Sequence, residues 1–154
     1  LTNAMDKIMK LGLNISDKSN ITPQDVRAHA MRHSDRQQVL FIDYLQLMDT
    51  DAKIDRRVAV EKISRDLKII ANEPGAIIVL LSQLNRGVES RQDKRPMLSD
   101  MKESGGIEAD ASLAMLLYRD DYYNSDEDDS ITGQYLVECH IAKNTDGETG
   151  IIEF

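Results

Sequence analysis

Apolar positions along the chain follow two rhythms, continuous runs and helical repeats. Val39 to Tyr44 (VLFIDY) is a continuous apolar run ending in an acid, and Ala76 to Leu81 (AIIVLL) and Leu113 to Tyr118 are further apolar runs. Such runs predict strands buried on both faces, the setting of a parallel sheet covered by helices. Between the first two, Val60, Ile63, Leu67 and Ile70 recur at helical spacing. They predict a helix from about Arg56 to Ala71, ended by Pro74 and Gly75, with Glu61 and Arg65 expected to pair across one turn.

Weaker signals extend the pattern. Met5, Ile8, Met9 and the stretch Leu11 to Leu13 lie near helical spacing, so the chain is expected to open inside a helix that Gly12 stops. Thr22 before Pro23, with Asp25 following, reads as an N-cap. The helix behind it should run to about His33 and bury Val26, Ala30 and Met31. Gln134 to Ala142 alternates well enough for a fourth strand, and Ile151 begins another. Residues 86–106 read as loops around a short helix, broken by Ser104, Gly105 and Gly106, and the acidic segment Asp120 to Ser130 reads as solvated. With no internal repeat or linker, residues 1–154 are expected to form one α/β domain, three layers around a mainly parallel sheet.

Composition changes this picture little. The chain has 154 residues, 41% of them hydrophobic, enough for one buried core. No apolar run reaches the roughly 18 residues of a membrane span, and no leader pattern is seen, so the expected setting is the cytoplasm, with no membrane partner. A single cysteine, Cys139, excludes an internal disulfide framework and reads as a small buried hydrophobe. The net charge of −8 argues against a passive nucleic-acid coat and requires any such contact to be local.

Candidate chemistry sits at strand ends. An acid directly after a buried strand is where α/β proteins place a magnesium-coordinating carboxylate, which makes Asp43 the first candidate. Gln83 follows the second strand, where a neutral amide can hydrogen-bond a terminal phosphate or a water. Arg86, Arg91, Lys94 and Arg95 make the next stretch basic. His29 and His33 have the spacing of two zinc ligands but lack the glutamate of a metalloprotease motif, and the run Asp126 to Asp129 lacks the glycine and distal glutamate of a calcium loop. Neither is read as a metal site.

IDYLQLM at 42–48, LSQLNR at 81–86 and KRPMLSDMKESGGIEADA at 94–111, followed by YRD at 118–120 and AKNTDGETG at 142–150, closely resemble the DnaB family of replicative helicases over nearly the whole chain. The resemblance implies a RecA-like ATPase fold, a three-layer sandwich, working as a homo-hexamer that hydrolyses ATP with magnesium and moves along single-stranded DNA. Primase and a helicase loader are the further partners it implies, in a bacterial cytoplasm whether the gene is cellular or carried by a phage. By position, Asp43 resembles the acid that holds magnesium through water, and Gln83 the glutamine that senses the terminal phosphate. Lys143 resembles a lysine that faces a neighbour's nucleotide. Lys102, Glu103 and Gly105 resemble the loop that touches DNA, with Arg86 beside it, and Lys102 stands where the family usually has arginine.

The pattern departs from the family in two places. No GxxxxGK[ST] phosphate loop occurs, which reads as a motor domain truncated at both ends and inactive alone. Thr145 stands where the resemblance implies an arginine finger, so weak hydrolysis is expected unless another cation substitutes. The alternative reading is a degenerate or other RecA-like subunit, serving recombination or repair, that binds DNA without unwinding it.

Overall fold

The structure is a computed structural model, and it describes residues 6–7, 10–48, 53–73, 76–101, 105–123 and 135–154. Asp6 and Lys7 are helical, and Gly12, at φ +63°, turns the chain away, a conformation in which glycine is unstrained. Met5, Ile8 and Met9 lie outside the described residues.

Helix α1 (Pro23–Arg32) starts as its sequence predicts. Thr22 Oγ1 accepts from the Asp25 N–H at 3.2 Å, and the Asp25 carboxylate accepts from the Thr22 N–H at 3.0 Å. This reciprocal box satisfies two otherwise orphaned donors. Val26 and Ala30 are buried, but Met31 is 56% exposed, contrary to expectation. The helix packs on its neighbour through a narrow i,i+4 stripe, and Met31, one residue beyond Ala30, is turned about 100° off it.

Helix α2 (Arg56–Ala71) has the predicted span, capped by Asp55, whose carboxylate accepts from the Arg57 N–H at 2.9 Å. Val60, Ile63, Leu67 and Ile70 are all buried. The expected Glu61–Arg65 pair does not form. Glu61 pairs instead with Arg57 at 3.4 Å, while Arg65 reaches the buried Asp110 at 3.1 Å. A long-range carboxylate out of water is the stronger acceptor, and local spacing could not announce it. Pro74 and Gly75 lie outside the described residues.

Strands β1 (Gln38–Ile42) and β2 (Ala76–Leu80) pair in parallel, from Gln38 opposite Ala76 to Ile42 opposite Leu80, with α2 as the crossover. Ile42 is buried, and Leu40, Ile78 and Leu80 pack against the core formed with Val60, Ile63 and Leu67. The opposite face is open: Val39 is 51% and Phe41 70% exposed. Burial on both faces, expected from the apolar runs, therefore holds for one face only in this chain.

Strands β3 (Leu113–Arg119), β4 (Val137–Asn144) and β5 (Gly150–Glu153) form a second sheet, antiparallel throughout. This corrects the expectation of one mainly parallel sheet. Only the short segment 145–149 joins β4 to β5, enough for a hairpin and too little for the dozen or more residues of a parallel crossover. On β3, Ala114, Leu116 and Tyr118 are buried while Leu113, Met115 and Leu117 are exposed. Gly105 and Gly106, expected as a break, instead open the short helix α3 (Gly105–Asp110). A Cβ on Gly106 would lie 2.8 Å from Glu61 Cγ and 3.2 Å from its Cα, so glycine is what lets α3 rest on α2. The fold is α/β, and among the described residues no helix is long and apolar enough to cross a membrane.

Candidate functional site

The parallel pair places the first two candidates side by side. Beyond Ile42 and Leu80 the strand ends stay joined, with the Leu81 N–H donating to Ile42 O at 3.0 Å and the Leu45 N–H to Leu81 O at 2.9 Å. Asp43 follows β1 directly and Gln83 follows β2 after Ser82, and both are exposed. Gln46 staples the two ends: its Oε1 accepts from the Gln83 N–H at 3.3 Å and its Nε2 donates to Ser82 Oγ at 3.2 Å. Gln46 was given no role from the sequence, although an amide just past a strand end was the available signal. Among the described residues, no ion pair or hydrogen bond engages the Asp43 carboxylate, which leaves it free for a hydrated cation.

The loop after β2 is held differently. The Arg86–Ser90 turn begins with Arg86 exposed. The Asn85 N–H donates to Asp100 O, and Leu84 bridges to Met101, so the loop closes on itself. Arg91 grips the Asp100 carboxylate with both terminal nitrogens, at 3.0 and 2.6 Å. Arg95 also holds a carboxylate with two nitrogens, that of the buried Glu138 of β4, at 2.9 and 2.6 Å, and His140 lies 2.7 Å from the same group. Arg95 above all, with His140 second, holds the Glu138 carboxyl down at about 2.

Lys94 lies over the Tyr123 ring and Arg95 over the Tyr118 ring, whose hydroxyl donates to Asp120 at 2.6 Å. That bond, with burial second, pushes Tyr118 up to about 12. The basic run 91–95 is therefore spent on internal contacts rather than presented as an open basic face. Glu138 and His140 were missed from sequence; an acid inside an apolar alternating strand is a signal for a buried partner.

Of the remaining candidates, Lys102 and Glu103 lie outside the described residues, as does the run Asp126 to Asp129. Gly105 is the first residue of α3. Lys143 on β4 is half-buried, its Nζ donating to Glu108 O at 2.7 Å and Ala109 O at 3.2 Å. Thr145 is exposed and bonds Ser112 O through both its N–H, at 2.9 Å, and its hydroxyl, at 3.0 Å. Cys139 is buried, as expected. The His29 and His33 rings stand 5.1 Å apart, and among the described residues no group of three or more His, Cys, Asp or Glu side chains could hold a metal.

Comparison with known proteins bears on all of this. The replicative DNA helicase DnaB of Geobacillus stearothermophilus is 42% identical over 99% of this chain, and the replicative DNA helicase DnaC of Bacillus subtilis is 42% identical over the same share. The chain spans 34% of the length of each. A solved DnaB-like replicative helicase, described with its interactions with primase, superposes with a TM-score of 0.91 at 39% identity, covering 99% of this chain and 37% of that one. A second solved structure, described as an ATPase domain, gives a TM-score of 0.90 at 38% identity, covering 99% of this chain and 54% of that one. The family model for the DnaB-like helicase C-terminal domain matches residues 1–154. The chain belongs to the family of the DnaB-like helicase C-terminal domain.

Proposed function

We propose that this chain is part of the motor of a replicative DNA helicase, which couples ATP hydrolysis to translocation on single-stranded DNA and unwinding of the duplex. The observation that carries this reading is the stapled parallel pair, whose ends present Asp43 and Gln83 side by side and exposed. Domain architecture follows the same reading: residues 1–154 are a portion of a RecA-like three-layer domain, and the exposed face of Val39 and Phe41 is compatible with a further layer.

Asp43 would hold a magnesium ion through a water, which its carboxylate, exposed and unpaired among the described residues, fits. The ion, when bound, neutralises charge on the terminal phosphates of ATP. Gln83, its main chain fixed by Gln46, offers a neutral amide to the terminal phosphate or the attacking water and adds no charge to repel either. Lys143 faces the nucleotide of a neighbouring copy in a homo-hexamer. Arg86, Lys102, Glu103 and Gly105 face single-stranded DNA, with Lys102 acting as a point charge on a phosphate. Primase and a helicase loader are the protein partners, and the bacterial cytoplasm is the setting.

The test is ATP turnover by the whole protein with and without single-stranded DNA. DNA-stimulated hydrolysis is expected. A folded protein that binds DNA without turnover would favour the alternative, a degenerate DNA-binding subunit. Thr145 speaks for that alternative, since its side chain is short, uncharged and bonded to Ser112 O.

A further inference from the structure

Lys143 links two parts of the molecule that the proposed function treats separately. Its Nζ sits on carbonyls of the C-terminal turn of α3, Glu108 O and Ala109 O, and α3 begins at Gly105, itself one of the residues read as the DNA loop. A six-residue helix has proportionally more orphaned carbonyls than a long one, and a cation at its C-terminus both satisfies them and complements its dipole. Other ties on α3 include the burial of Ile107 in the core, the close packing of Gly106 on Glu61 and the Arg65–Asp110 pair, and just past its end Lys68 and Thr145 bond Ser112. The helix is thus seated on α2 along one side, and an ammonium group from β4 lies on its end carbonyls.

We propose that Lys143 is a positioning residue with two alternative acceptors, the C-terminal carbonyls of α3 and the terminal phosphate of a nucleotide held by a neighbouring copy. This rests on the nucleotide-facing role given to Lys143 above. A phosphate carries negative charge and is the stronger acceptor, so the ammonium leaves neutral carbonyls for it when it arrives. The move uncaps α3 and loosens its C-terminal turn. Loss or departure of the phosphate returns Lys143 to the carbonyls and re-seats the helix. One side chain then converts nucleotide occupancy at a subunit boundary into the mobility of α3.

The experiment is amide hydrogen exchange over residues 105–112 in the whole protein, with and without a non-hydrolysable ATP analogue and magnesium, for the wild type and Lys143→Met. Without nucleotide, Lys143→Met should speed exchange in this segment roughly fivefold, the order expected for losing a cation at a helix end. The analogue should produce a similar rise in the wild type and no further rise in the variant. Lys143→Arg, which keeps a cationic donor, should stay near wild type without nucleotide. Helix α2 is the internal reference: if its protection also collapses in Lys143→Met, then Lys143→Gln, which keeps a neutral donor, carries the test. Unchanged exchange at 105–112 in the nucleotide-free variant overturns the capping role. Unchanged exchange in wild type, with analogue binding established by direct titration, overturns the switch while leaving the nucleotide reading intact. An analogue that does not bind the wild type at all overturns the nucleotide reading itself, and this inference with it.

Discussion

The end of the parallel pair and the loop anchored beside β4 hold their important side chains by opposite means. At the first, Asp43 and Gln83 are exposed, and main-chain bonds among Ile42, Leu45 and Leu81, with the Gln46 staple, fix where they stand. At the second, Arg91 and Arg95 are committed to Asp100 and Glu138 through paired hydrogen bonds. A group that is to receive a ligand has to keep its own donors and acceptors free, so its position comes from the backbone beneath it. A group that holds a loop in place does the reverse. The contrast separates residues read as chemical from residues read as structural by how each side chain is held.

Asp43→Asn tests the contrast most strongly. It should lower ATP turnover of the whole protein by roughly a hundredfold or more, the order seen when one electrostatic element of a phosphoryl-transfer site is removed. It should leave unfolding stability within about 0.5 kcal/mol of wild type, as surface changes usually do. A stability loss large enough to account for the lost turnover would break the distinction. Thr145→Arg, at the hairpin following β4, should raise turnover about tenfold or more, because a supplied arginine finger is worth at least that in phosphoryl transfer. An unchanged rate would remove the reading that the missing arginine at 145 limits turnover.

Glu138→Gln has the smallest effect on chemistry and a measurable one on stability. It removes the charge that Arg95 and His140 share, and should cost about 1–2 kcal/mol at neutral pH, kept low because Arg95 is 45% exposed. The folded carboxyl is held at about 2, below the ordinary 4.5, so its contribution is complete above about pH 4.5 and is lost as pH falls through about 2. Denaturant unfolding should therefore show wild type and variant separated at pH 7 and converging below about pH 3. A gap that persists at about pH 2 would mean that the charge does not carry the pair.

Much of this was legible in the residues. Both long helices, all the described strands and the Thr22 cap follow from local periodicity and local hydrogen bonding, which act within a few residues. Asp43 and Gln83 could be named because a strand end is itself a local feature. Strand direction in the second sheet, the partners of Arg65 and Arg95, the seat of Gly106 on Glu61 and the hold of Lys143 on α3 could not. Each depends on residues brought together from distant parts of the chain, as with Arg95, which pairs with the buried Glu138 at 2.6 Å and with the neighbouring Asp93 only at 3.7 Å. By itself the sequence determined the elements and the places where chemistry could stand; tertiary structure decided which charged side chains stand exposed and which are spent holding the fold. The physical reason is that hydrophobic periodicity is short-ranged, whereas the pairing of a buried charge is settled only once the chain has closed around it.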